Sequence, residues 1–279
     1  MGLSNIGDAI LMSPVIAQLH ARFPQAHLTL LVGERARAVF ERDPRIHRLV
    51  CMEEFDGILG RLRLVPFVWQ VRPDLLVDLR QTILPVLWKP WRAWRYVWPV
   101  PRGVRHMRQR HLLRLARQLG GRSNGIAAGA SDGQSAIWIS PEEQRSIDQL
   151  LTRWGLDPTK RLVVVSPGAR SHIKRWDAER FAKLADRLIE QTNSEVILTG
   201  EPDEASVITE VCNAMRRRAH NAVGQTTIRQ LAALLERAAL VITNDSAALQ
   251  TASRSSESDG SDRKSPRRPI RLPARNPPE

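Results

Sequence analysis

Apolar residues recur at helical spacing at Ile16, Leu19 and Phe23, and Pro24 stops them. Ser13-Pro14 just ahead predicts an N-cap followed by proline in the first helical position. Residues 27–32 form an apolar run that predicts a buried strand, and residues 46–52 and 74–79 predict two more, with helical stretches between them. The second half repeats this rhythm. Strands are predicted over 162–165, 196–199 and 240–243, and helices over 178–190, 204–216 and 228–237. Alternating strands and helices imply an α/β class with parallel sheets covered on both faces. Ligands of open parallel sheets bind beyond the carboxyl ends of the strands, which directs attention to residues 166–176, 200–203 and 244–250.

A chain of 279 residues with 42% hydrophobic content can bury one large core or two of ordinary size, and its length favours two. Residues 120–135, rich in Gly, Ser and Ala, read as the linker, giving domains 1–135 and 136–253. From residue 254 to 279 the composition turns to Ser, Arg, Asp and Pro without hydrophobic periodicity, the pattern of a disordered basic tail or of an out-of-frame end. The net charge of +13 favours an anionic partner: nucleic acid, a phosphate-bearing small molecule or an anionic membrane face. No helix-turn-helix, zinc-finger or RNA-binding motif is present, so no specific nucleic acid is expected. Cys51 and Cys212 lie in no metal or redox motif and read as reduced cysteines of a cytoplasmic protein. The start has no signal-peptide pattern, and the apolar runs are too short or interrupted to span a bilayer. Trp88, Trp91, Trp94 and Trp98 stand among Lys89, Arg92 and Arg95. They read either as packing on the first domain or as a patch for peripheral contact with an anionic membrane. A basic helix with an apolar seam is predicted next, over 105–119.

Three short segments have the residue types of a binding site. Ser166-Pro167-Gly168 begins a strand-to-helix connection that also carries Lys174 and ends at Asp177. Glycine admits close approach of backbone N–H groups to a phosphate, a helix N-terminus favours negative charge, and Lys174 adds a mobile cation. The same residues also suit a solvated surface loop in which Asp177 caps the next helix. Asn244-Asp245-Ser246 closes another strand, either as part of the same crevice or as an N-cap. Asn5-Ile6-Gly7-Asp8 places a carboxylate on a glycine-bearing loop or a plain turn.

In order along the chain, Gly7-Asp8-Ala9-Ile10, Ser13-Pro14, Phe23-Pro24, Ser166-Pro167-Gly168 with Lys174-Arg175-Trp176, Leu198-Thr199-Gly200 with Glu204, and Thr243-Asn244-Asp245-Ser246 resemble glycosyltransferase family 9, the heptosyltransferases of the lipopolysaccharide inner core. The resemblance implies a GT-B fold of two Rossmann-like domains, with the acceptor on the first and a nucleotide-sugar on the second. It implies Asp8 as general base, Lys174 on the diphosphate, Glu204 on the ribose or nucleotide, and Ser166, Gly168, Asp245 and Ser246 in the donor pocket. The implied partners are an ADP-sugar donor and a lipid-linked oligosaccharide acceptor. The implied chemistry is inverting and uses no cofactor or metal, in keeping with the lack of a D-x-D motif.

Against the family pattern, the chain starts inside the first loop instead of on a strand ahead of it. Ala247 and Gln250 stand where glycine and histidine are usual, and the basic tail replaces the end of the second domain. Truncation at the N-terminus, and truncation or a frameshift at the C-terminus, are therefore expected. Other function classes compatible with the residues are a catalytically impaired nucleotide- or glycan-binding remnant, a GT-B epimerase and a basic nucleic-acid-binding protein.

Overall fold

The computed structural model describes residues 6–80, 82, 84–89, 103–104, 107–120, 137–169, 175–244 and 270–271. The chain divides into two compact units, Met1–Trp138 and Ile139–Glu279.

In the first unit, helix α1 spans Ile6–Arg22, longer than the pattern predicted, with Pro14 inside it. Proline removes the N–H that would bond the carbonyl four residues back. That carbonyl belongs to Ile10, and the Ser13 hydroxyl donates to it instead at 2.7 Å. Ser13 is thus an internal patch for the proline and not an N-cap, and Asp8 lies in the first helical turn and not on a loop ahead of the helix. Strand β1 (Thr29–Val32) pairs in parallel with β2 (Arg48–Cys51), with α2 (Glu34–Phe40) between them in sequence. Helix α3 (Gly57–Val71) follows and ends on Arg72 in the left-handed conformation. The helices α4 (Leu84–Trp88) and α5 (Met107–Gln118) complete the described part of the unit.

Residues 74–79 form no strand. Their apolar content suits one, but no described strand forms a ladder with them, and the carbonyls of Asp78 and Leu79 accept instead from Gln118 and Arg114 of α5. A cavity of about 800 Å³ separates the segment from β1, with Met12 and Ile16 of α1 and Val68 of α3 among its apolar walls.

The second unit opens with α6 (Pro141–Arg153), which no pattern above predicted. Ser140 and Glu143 cap it reciprocally: Glu143 N donates to Ser140 Oγ at 3.2 Å, and Ser140 N donates to Glu143 Oε2 at 2.8 Å. Its sheet has the order β5 (His220–Asn221), β4 (Ser194–Leu198), β3 (Arg161–Ser166), β6 (Leu240–Thr243), β7 (Ile270–Arg271), all parallel. Successive side chains of β3 enter opposite layers, as the period of two requires. Val164 packs with Ile147 of α6 and Leu234 of α9 (Ile228–Arg237). Val163 and Val165 pack with Phe181 of α7 (Ala178–Thr192) and Ile208 of α8 (Ala205–Ala214). Of the predicted tail, the structure describes only β7.

Candidate functional site

The carboxyl ends of β3, β4 and β6 lie side by side in register, because Ser166 pairs with Thr243 and Val165 with Leu198. Three connections therefore leave the sheet at one edge, and the second unit's predicted residues fall on them. Ser166 ends β3 and is buried. Gly168 follows, and a Cβ there would overlap the end of the Glu204 side chain, so glycine lets the two connections meet with that carboxylate where it stands. Gly200 makes the same allowance beside Ile208 and Glu204. Lys174, Asp245 and Ser246 lie outside the described residues.

Glu204 ends a short 3₁₀ turn, Pro202–Glu204, and its carboxylate accepts from Glu201 N at 3.0 Å. Burial pushes its carboxyl up from the ordinary value, and the neighbouring charges of Glu201 and Asp203 push the same way. The hydrogen bond from Glu201 N and the positive charge of Arg175 pull it back without cancelling the rise. A carboxyl raised in the folded state contributes stability that is fully present below its unfolded pKa, about 4.3, and lost as pH rises through the folded value. Glu204→Gln keeps an acceptor but no charge. Thermal melts are therefore expected to show the variant gaining on wild type as pH rises from about 4 to 7.5. A difference that does not change with pH would contradict this assignment.

Two residues at this edge carry more of the geometry than the motifs suggested. Asn244, directly after β6 and 2% exposed, donates from Nδ2 to the carbonyls of Pro167 (2.7 Å) and Gly168 (3.3 Å). Its Oδ1 accepts from Trp176 N at 3.1 Å. Thr199, directly after β4 and 2% exposed, has a buried hydroxyl with no partner among the described residues. Arg175 donates from Nε to the Ala169 carbonyl at 2.8 Å, and Asp177 caps α7 by accepting from Glu179 N. The sequence signal for Asn244 was its place between a strand end and Asp245, but the partners of its amide come from residues 68 and more positions earlier.

In the first unit, Asp8 is half-buried in the opening turn of α1, one residue from Gly7, where an added Cβ would meet open space. At the carboxyl end of the two-stranded sheet, Glu34, Cys51 and Glu53 bring three ligand-type atoms within 4.8 Å of one another. Burial and the Glu34 hydrogen bond push the Cys51 thiol up, and it donates to Glu34 Oε2 at 2.8 Å. That arrangement is a satisfied hydrogen-bond cluster of a protonated thiol. No helix among the described residues is long and apolar enough to cross a membrane.

Solved structures with the same architecture set the class. A glycosyl transferase family 9 protein from Veillonella parvula matches with a TM-score of 0.72 at 23% identity, over 91% of this chain and 76% of that one. The Escherichia coli ADP-heptose lps heptosyltransferase II matches at 0.63 and 20% identity, over 98% of this chain and 90% of that one. The fold is GT-B-like. In sequence, the chain is 24% identical to lipopolysaccharide heptosyltransferase 3 of Escherichia coli K12 over 86% of its own length and 74% of that protein's. The model of glycosyltransferase family 9 (heptosyltransferase) matches residues 94–252, more than half of the chain. The chain belongs to glycosyltransferase family 9, and the chemistry of the site is to be read as sugar transfer.

Proposed function

We propose that this glycosyltransferase moves a heptose from an ADP-sugar, with inversion, onto a lipopolysaccharide core or a similar lipid-linked glycan acceptor. The observation that carries the reading is the glycine-lined edge of the second unit, where Gly168 and Gly200 leave room for the Glu204 carboxylate. Small residues beside a strand end admit a nucleotide diphosphate, and Glu204 offers a hydrogen-bond acceptor to its ribose hydroxyls. In this scheme Ser166 and Gly168 shape the donor pocket with Asp245 and Ser246. Lys174 and the N-terminus of α7 meet the charge of the departing ADP, so no metal is needed. Asp8 takes the proton of the acceptor hydroxyl as it attacks the anomeric carbon from the face opposite ADP.

The test is ADP release and product mass with ADP-heptose and heptose-free core acceptor in EDTA. Transfer that depends on both substrates is expected. Release without acceptor would indicate an epimerase or hydrolase, and ADP binding without turnover would indicate a remnant. Lys174→Ala should weaken ADP about tenfold to a hundredfold in calorimetry, as a lost charge-assisted contact worth roughly 1.5–3 kcal/mol predicts. Unchanged affinity would make the connection after β3 a plain linker.

A lipid-linked acceptor calls for the enzyme to work at the inner face of the cytoplasmic membrane. Trp88 packs against the core of the first unit beside Leu84 and Val68. Peripheral docking at the membrane is supported by Trp91, Trp94 and Trp98 among Arg92 and Arg95 in the sequence, and by Leu62 and Trp69 of α3, which are 65% and 59% exposed. Flotation with anionic liposomes is expected to carry wild type and to lose the Trp91→Ala/Trp94→Ala variant. Equal flotation of both would refute that contribution.

A further inference from the structure

The Asn244 side chain touches both ends of the β3–α7 connection. Pro167 and Gly168 stand at its start and Trp176 at its close, and one buried amide bonds all three. The partners fix the orientation of the amide, since two carbonyls require the NH₂ group and a backbone N–H requires the oxygen. Asn supplies two donors and an acceptor on a short stem. Asp offers no donor when ionised, Ser and Thr are too short to reach across, and Leu has neither function. Gly168, whose carbonyl Asn244 holds, is the residue packed against the Glu204 carboxylate. A displacement of Gly168 therefore reaches Glu204 directly. Arg175, bonded to the Ala169 carbonyl, ties the same connection from within but lies nearer the surface.

We infer that Asn244 is a positioning residue for the nucleotide-sugar. It acts through other residues: by holding the Pro167 and Gly168 carbonyls and Trp176 N, it sets the Gly168–Glu204 surface against which the donor's nucleoside diphosphate rests. This rests on the donor-site reading above. Its role is specific to one substrate, because its side-chain partners among the described residues belong to the donor edge of the second unit.

The experiment measures ADP affinity by calorimetry and donor KM, acceptor KM and kcat for wild type, Asn244→Ala and Asn244→Asp, with melting curves alongside. At pH 7.5 both variants should bind ADP about tenfold or more weakly and raise donor KM to match, the scale of one or two lost buried hydrogen bonds. Acceptor KM and kcat at saturating donor should stay within about threefold, a split that a general loss of folded protein would not produce. Asn244→Asp adds a second signature. A carboxylate facing the Pro167 and Gly168 carbonyls is disfavoured, whereas its protonated form has a donor for one of them and an acceptor for Trp176 N. Relative to wild type at each pH, its ADP affinity should recover as pH falls from 7.5 towards 5.5, while Asn244→Ala should not recover. ADP binding equal to wild type, or equal losses in donor and acceptor parameters, would overturn the inference while leaving the donor site intact. Wild type failing to bind ADP would overturn the donor-site reading, and this inference with it.

Discussion

Asp8→Asn is expected to lower turnover by about 10²–10⁴-fold, the usual contribution of a positioned general base. A sugar hydroxyl becomes acidic only as its bond to the anomeric carbon forms, so a carboxylate within hydrogen-bond reach acts in the transition state and little before it. Asn keeps the shape of the side chain and removes the basic lone pair. It also gives up a favourable carboxylate in the first turn of α1, a loss of roughly 0.3–1 kcal/mol that the helix should tolerate. Folding by circular dichroism and ADP binding by calorimetry should therefore persist while acceptor-dependent ADP release collapses. Turnover within about threefold of wild type would reduce Asp8 to a helix-start residue.

Arg229→Ala is expected to destabilise the second unit by about 3–5 kcal/mol, the cost of leaving a buried charge without its partner. Arg229 on α9 bonds Glu143 of α6 through Nε to Oε1 and through Nη2 to Oε2 (2.9 Å), and both side chains are more than 90% buried. Glu143 also accepts from Ser140 N, so one carboxylate joins two helices and caps one of them. Burial alone would raise the Glu143 carboxyl, but the hydrogen bonds from Arg229 and Ser140 outweigh it and hold the group below its ordinary value. The stability from this depression is fully present above the unfolded pKa of about 4.3 and is lost as pH falls through the folded value. Urea unfolding at pH 7 should show the loss in Arg229→Ala, and the gap to wild type should narrow on acidification. A change below about 1 kcal/mol at pH 7 would mean that water replaces the guanidinium.

Regular elements were legible where periodicity and caps agreed. The helix Ile228–Arg237 and the strand Leu240–Thr243 match their predicted ranges to the residue, since Thr227 caps the first and an apolar run makes the second. The start of α1 was misjudged because Ser-Pro is a sound helix opening on its own, and only the bond from Ser13 to Ile10 reveals that the proline is internal. Residues 74–79 have the composition of a strand, but a strand needs a hydrogen-bonded neighbour, and composition says nothing of neighbours. Helix α6 was missed although Ser140-Pro141-Glu142-Glu143 is a readable capping box. At the site, Gly168 was singled out as a glycine beside a strand end and Glu204 by family resemblance. That one sits against the other follows only from the parallel register that lines up β3 with β4. Asn244 stood in a segment read as crevice or N-cap, but its role was illegible for the same reason, because the amide's partners lie across the sheet and leave no local trace.

The strand order of the second unit also bears on its synthesis. β3 is flanked by β4 on one side and β6 on the other, and its three consecutive valines face both layers of the core. The ribosome must add roughly 75 residues after β3 before β6 is complete, which takes about 4–15 s at ordinary elongation rates. Through that interval this valine-rich strand has an open flank, and the nascent chain depends on β4 and α7 to shield it. Slow codons placed between β4 and β6 would lengthen this exposure and lower the soluble yield without changing a single residue.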